Sequence, residues 1–359
     1  MRTFFDEANR LERLSVLGDK LEVIKAGVDF EFFRPLLGII WKSEDNRPGG
    51  RQRWDRVLIF KILVLQKLYN IADDATEYQI NDRLSFQRFL GLELGDNVPD
   101  AKTIWKYKED LAKSGKSKEL FKLYNGVLEE VGIITREGSI IDATIIQRPQ
   151  QRYNKKKKQY EKNGETMPEE TNPHKKSQID TDATYTSKNG KCYFGYKNHI
   201  KADVKSKIIL DYEITTASTS DGTQAPVLVD EKDEVLFGDS AYGNPARESA
   251  IQASIKEKSD DPDKEITLMI CEKAQRGKPL TDEQRANNTV KAKIRCRIEH
   301  IFGHKVKSMG GKNVRQAGFT RNACALGLKN LAYNFSRAAF LLKQRVESIL
   351  LPKTARSSG

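Results

Sequence analysis

A mixed α/β fold preceded by an all-helical region is what this chain predicts, on three observations. Up to residue 132, apolar positions recur at helical spacing between polar N-caps and glycine stops. At Ser139 the pattern switches to a β-branched run, Ser-Ile-Ile-Asp-Ala-Thr-Ile-Ile, of the kind that forms a buried strand. Strand-like and helix-like segments then alternate, as in a sheet covered by helices. At 359 residues the chain has room for two or three domains. We expect a helical domain over 1–132 and an α/β domain over 133–322 with a polar insertion at about 147–191. A terminal helix and flexible tail should occupy 323–359.

Each element follows from its residues. Residues 53–69 (RWDRVLIFKILVLQKLY) carry apolar side chains too densely for a surface helix, so this helix should be central. Two short helices follow at 75–84 and 85–90. Asp100 is a good N-cap for AKTIWKYKEDLAKS and Gly115 a good stop, with a further helix over 121–131. These short helices, with Lys102, Lys106 and Lys108 beside Trp105 and Tyr107, suit a helix-turn-helix. Beyond the strand at 139–146, the prolines and lysines of 147–191 read as a long exposed loop, with Asp180 and Asp182 among its residues. KCYFGYKNHIKADV (191–204) alternates as a strand and turns at 205–207 into a second strand, 208–216. A short helix at 224–229, strand at 234–238, helix at 245–256, strand at 265–271 and long helix at 282–304 complete the domain. Gly303 is a point where that last helix can break. A final amphipathic helix spans 323–347. A hairpin followed by strand–helix crossovers is the order of an RNase H-like fold.

Composition narrows the partners. With 62 Lys and Arg against 50 Asp and Glu, the net charge is +12. Residues 284–321 hold ten basic residues (Arg285, Lys291, Lys293, Arg295, Arg297, Lys305, Lys307, Lys312, Arg315, Arg321) against one acid, Glu299, a net of +9. Most of the excess charge thus lies in about a tenth of the chain, a footprint for phosphates. The run Lys155–Lys158 fits a solvated loop or a DNA contact equally. The four cysteines form no CxxC pair, which argues against a disulfide framework or zinc ribbon and for a reducing interior. No apolar stretch is long enough for a bilayer span and the N-terminus has no signal-peptide core, so we expect a cytoplasmic protein with polyanionic partners.

One acid in the midst of Ser-Ile-Ile-Asp-Ala-Thr-Ile-Ile is costly unless paired or bound to metal. Asp142 is that acid. Asp239 ends a second apolar strand in GDSAYGN, and strand ends are where sites are built in such sheets. If the two strands are neighbours the carboxylates converge, and the basic helix can bring Glu299 over them. Hard oxygen ligands of this kind suit Mg²⁺ or Mn²⁺, and two such ions can drive an in-line phosphoryl transfer.

In the motifs VPDAKTIWKYKEDL, IIDATII, FGYKNHIKAD, LFGDSAYGN and RCRIEHIFGHKVK, the chain resembles the DDE transposases of bacterial insertion sequences, specifically the insertion-sequence-five group. The resemblance covers most of the chain. It implies that Asp142, Asp239 and Glu299 are the catalytic and metal-binding triad, with two Mg²⁺ or Mn²⁺ ions. It implies cleavage at inverted-repeat ends, joining of the 3′-OH to target DNA, double-stranded DNA as partner, and a homodimer or larger assembly on it. Terminal-repeat recognition falls to the helical domain, and the setting is the bacterial nucleoid. Of the family's Tyr, Arg, Glu, Lys signature only Arg295 and Glu299 match: Ala292 stands at the Tyr position and Val306 at the Lys position, between Lys305 and Lys307. Tyr242 of DSAYG matches the group.

DNA contacts are expected from Lys291, Lys293, Arg295, Arg297, Lys305 and Lys307, and from Lys102 and Lys106 in the helical domain. His199 and Tyr242 are candidates for the vicinity of the site. Cys296, His300 and His304, four apart, would share a helix face, but no fourth zinc ligand is evident. The alternative to an enzyme is a non-catalytic, domesticated or repressor-like DNA-binding protein, which would bind without cutting. A plain nuclease would share the site and make no strand-transfer products.

Overall fold

A computed structural model of the chain describes residues 6–42, 53–168, 172–274, 277 and 279–350. The chain divides into two compact units, residues 1–133 with 327–359, and residues 134–326. The C-terminal helix expected over 323–347 therefore groups from residue 327 with the N-terminal helices. The tail at 355–359 lies outside the described residues.

The first unit contains α1 (Asp6–Val16), α2 (Lys20–Gly27), α3 (Arg34–Ile40), α4 (Arg56–Tyr69), α5 (Asp73–Asp82), α6 (Leu84–Leu90), α7 (Ala101–Ser114) and α8 (Ser117–Glu130). Helix α4 is buried along most of its length, as its apolar density requires. Its Phe60 meets Phe30, Phe33 and Phe335 in a cluster of tilted and edge-on rings. Asp100 caps α7 by accepting from the Thr103 amide at 2.7 Å, and Gly115 ends it in the left-handed conformation.

The second unit is a mixed α/β fold. Its strands are β1 (Ser139–Gln147), β2 (Thr184–Lys188), β3 (Lys191–Asp203), β4 (Ile209–Thr216), β5 (Val235–Gly238) and β6 (Thr267–Ile270). Strand β3 runs antiparallel to β1 on one edge and to β2 and then β4 on the other. Strands β5 and β6 continue the sheet parallel to β1, giving the order β4-β3-β1-β5-β6. Gly195 sits at φ +148°, where a Cβ would collide with the Ile146 carbonyl, so only glycine lets β3 lie this close to β1.

The segment 147–191 is not a loose loop. It forms α9 (Arg152–Lys162), α10 (Pro173–Gln178) and strand β2. Asp180, expected as a loop residue, is fully buried. Arg148 pairs with it at 2.8 Å, the Tyr196 hydroxyl donates to it at 2.8 Å, and the Asp182 and Ala183 amides donate at 3.1 Å. A buried carboxylate is tolerated because every side of it is met by a donor. Asp182 accepts from the Phe319 amide at 2.7 Å, so it too is an anchor.

After α11 (Ala225–Leu228) and α12 (Pro245–Lys258), helix α13 runs over Asp282–Met309 and α14 over Phe319–Leu350. Thr281 and Gln284 form a reciprocal capping box at the start of α13. The helix does not break at Gly303, because Ile298, Ile301, Lys305 and Met309 continue its buried stripe on either side. A glycine there costs only about 1 kcal/mol. Among the described residues no helix is long and apolar enough to cross a membrane.

Candidate active site

Register decides which side chains meet. Ile140 lies opposite Phe237 in the parallel pair β1–β5. Two residues further along each strand, Asp142 and Asp239 fall side by side on one sheet face. That is the face of α13, whose Arg295 places Nη2 3.8 Å from Asp142 Oδ2. Gly238 makes the turn after β5 possible: a Cβ there would stand 2.8 Å from Ile270 and 3.1 Å from the Tyr242 ring. Asp239 Oδ1 accepts from the Ala241 amide at 2.8 Å, which fixes the carboxylate at the strand end.

The electrostatics follow from this placement. Burial pushes the Asp142 carboxyl up to about 6; the Ala143 amide pulls it back, the Asp239 carboxylate pushes it further up, and Arg295 and Lys188 pull it down. Burial and the neighbouring Asp239 carboxylate thus outweigh the pull of the cations on Asp142. Arg295 Nε is buried with no hydrogen-bond partner among the described residues, a donor left for an acceptor the fold does not supply.

Glu299 is exposed on α13, one turn beyond Arg295. Among the described residues, no three His, Cys, Asp or Glu side chains stand together closely enough to hold a metal ion. The structure thus brings two of the three expected carboxylates together and leaves the third outside.

The expected near-site residues divide. His199 lies opposite Ala143, not Asp142, so the pleat sends it to the other sheet face. There it is fully buried, and Nε2 lies 2.8 Å from Thr215 Oγ1. Burial pushes its imidazole down to about 4, against the opposing pull of Asp221, so it is neutral at pH 7. Tyr242 packs fully buried among Ile141, Ile251 and Ile270. Its hydroxyl is raised by burial first, then by the fields of Asp142, Asp221 and Asp239, and it has no hydrogen-bond partner among the described residues.

The basic candidates also sort by burial. Lys291 donates to the Ile270 carbonyl at 2.8 Å and Arg297 to the Val204 carbonyl at 2.8 Å, docking α13 onto the sheet. Lys293 and Lys307 are exposed. Lys305 is only 3% exposed, because the chain after α13 folds back over it at Gly311, so it is no surface phosphate contact. In the first unit Lys102, Lys106 and Trp105 are exposed on α7, whereas Lys108 is tied to Asp73. His300 Nδ1 lies 2.8 Å from Lys207 Nζ. One contributor escaped the sequence reading altogether: Lys188, at the end of β2, whose field reaches Asp142. Its only signal was a lysine in a segment read as loop.

Comparison with known proteins places the chain in a family. The Transposase domain (DUF772) family matches residues 9–110. A solved piggyBac transposase, described as a synaptic complex with hairpin DNA, aligns over 92% of this chain and 76% of its own at 10% identity and a TM-score of 0.42. The Transposase DDE domain family matches residues 134–335, a stretch that holds β1 with Asp142, the β5 turn with Asp239 and the whole of α13. That match spans more than half of the chain, and the protein belongs to the DDE transposase family.

Proposed function

We propose that this protein is the transposase of a bacterial insertion sequence of the insertion-sequence-five group. It cuts DNA at the inverted-repeat ends of its own element and joins the 3′-OH ends to target DNA in the cytoplasm. The observation that carries the reading is the side-by-side placement of Asp142 and Asp239 on the α13 face. The sheet order β4-β3-β1-β5-β6, with β5 and β6 parallel to β1, supports an RNase H-like domain.

Asp142, Asp239 and Glu299 are the catalytic carboxylates and would hold Mg²⁺ or Mn²⁺. The donor set fits: hard oxygens, one of them with its charge disfavoured by burial and by its neighbour. A pair of such ions supplies the charge that activates an attacking hydroxyl and stabilises the leaving oxygen. The chain supplies the rest. Strand β1 and the β5 turn fix the two aspartates, and the unpartnered Arg295 Nε donates to a phosphate oxygen of the scissile strand. Glu299, exposed on the next turn of α13, joins the two aspartates by a rotation of its side chain inward. Lys293 and Lys307 hold the flanking backbone, while Lys291 and Arg297 keep the helix in place. The helical unit, with Lys102, Lys106 and Trp105 exposed, reads the terminal repeat, and two copies pair the two ends.

The test is a labelled duplex carrying the element's own end, incubated with Mg²⁺ or with EDTA. Metal-dependent cutting that is lost in Glu299→Gln supports the reading, and strand-transfer products separate a transposase from a nuclease. The exposure of Glu299 favours one competitor, a DNA-binding protein without catalysis. Salt-sensitive binding with no cutting in either metal would establish that competitor. A mass increase to two or more protomers on end DNA is expected, and a strictly monomeric active complex would refute pairing.

A further inference from the structure

Helix α9 has the sequence RYNKKKKQYEK, six basic residues against one acid, a net of +5 in 11 residues. Like charges at such spacing repel one another, so the helix needs both an anchor and a reason. The anchor is Asn154, buried, whose side-chain amide donates to the Asp180 carbonyl at 2.8 Å beside the Arg148–Asp180 pair. Lys158 lies 4.2 Å from the centre of the Tyr185 ring on β2. Away from the anchor, Arg152, Lys155, Lys156 and Lys162 face solvent. Among the described residues these four cations have no carboxylate partner.

The helix lies on the face of the catalytic aspartates. Tyr185 pairs with Phe194, and Tyr196, on the same face as Phe194, pairs with Ile146. Counting back by twos from Ile146 gives Thr144 and Asp142. Tyr185, Phe194 and Tyr196 pack in one cluster, which agrees with that alternation. Lys188 at the end of β2 comes near enough to Asp142 for its charge to lower that carboxyl.

We propose that α9 is a second DNA surface, gripping the phosphates of the duplex whose strand lies at the aspartates. Its solvent stripe from residue 152 to 162 is about 15 Å long, which matches roughly four phosphate steps of one strand along the duplex axis. The contact is to backbone and carries no sequence preference. This assignment rests on the DNA transposase reading above and adds to it a surface outside the basic cluster of α13.

The experiment measures affinity for a random-sequence duplex across a series of salt concentrations. It compares the full-length protein with Lys155→Gln/Lys156→Gln/Lys162→Gln and with a charge-matched control, Lys205→Gln/Lys232→Gln/Lys256→Gln. The α9 variant should lower the slope of log K against log salt by about 2–3 and bind at least about tenfold more weakly at 0.1 M salt, with the control close to wild type. Equal melting temperatures confirm that both variants are folded. A wild-type slope in the α9 variant, or an equal loss in the control, overturns the assignment while leaving the transposase reading intact. A wild-type protein that binds no duplex overturns both.

Discussion

The two faces of the sheet treat buried acids in opposite ways. On the face away from α13, Lys201 is fully buried and lies 2.6 Å from Asp233 and 2.7 Å from Asp230. Arg136 joins at 3.1 Å to Asp230, and the Ser139 hydroxyl donates to Asp233 at 2.5 Å. Burial works to raise Asp230, but Lys201 and Arg136 outweigh it and hold the carboxyl at about 2. On the α13 face, burial raises Asp142 to about 6, and Arg295, 3.8 Å away, and the field of Lys188 do not offset it. Strand β1 carries both outcomes, with Ser139 on the first face and Asp142, three residues on, on the second. A closed charge network is structure; an acid left open where the fold had cations to spare is a site.

The largest effect that would sharpen this contrast is on cutting. Asp142→Asn or Asp239→Asn should lower Mg²⁺-dependent cleavage by at least about a thousandfold, equivalent to ~4 kcal/mol in the barrier, with the fold retained. Full cleavage by either variant in the end-cutting assay would remove the site from this face. The next effect belongs to the other face. Lys201→Met leaves Asp233 buried without its nearest cation, a change worth about 3–5 kcal/mol of stability. Denaturant midpoints read it directly, and an unchanged midpoint would break the comparison.

Much of this was legible in sequence, for a physical reason. The strand carrying Asp142, the turn carrying Asp239 and the caps Asp100 and Gly115 depend on neighbours a few residues away. What was not legible depends on distant partners. Asp180 looks like a loop acid until Arg148 and Tyr196 are seen around it, and α9 has no apolar stripe to announce a helix. Lys201 and Asp233 are 32 residues apart, and alternation within β3 gives no hint that a lysine there is buried. His199 sits one register step from the right face, which a motif match cannot resolve.

The third prediction is a pH dependence of opposite sign on the two faces. The Asp142 carboxyl titrates near 6 in the folded protein and near 3.8 when unperturbed. Between those values the folded state holds a proton that the unfolded chain has lost. Its stability contribution is therefore fully present below about pH 4 and is lost as pH rises through about 6. Without metal, the ionised carboxylate should cost about 1–3 kcal/mol at pH 8, allowing for its partial exposure to solvent. Asp142→Asn in EDTA should then melt higher than wild type at pH 8 and equal to it at pH 4. Asp230 behaves in reverse: its stability contribution is present above the unfolded value and is lost as pH falls toward 2. An Asp142→Asn variant that melted lower at pH 8 would mean that the charge is satisfied by the fold.

The smallest effect tests whether the closed network is closed by each of its members. Ser139→Ala deletes one donor to Asp233 and leaves Lys201 in place. A hydrogen bond to a buried charge is worth about 1.5–3 kcal/mol, and the remaining ammonium, with Arg136 at 3.9 Å, absorbs part of the loss, so about 1–2 kcal/mol is expected. Because Ser139 points away from α13, cleavage should be unchanged at temperatures where the variant is folded. That separation is the point of the experiment. If Ser139→Ala lost cleavage while keeping its stability, charge on one face would be controlling chemistry on the other, and β1 would be a conduit between the faces.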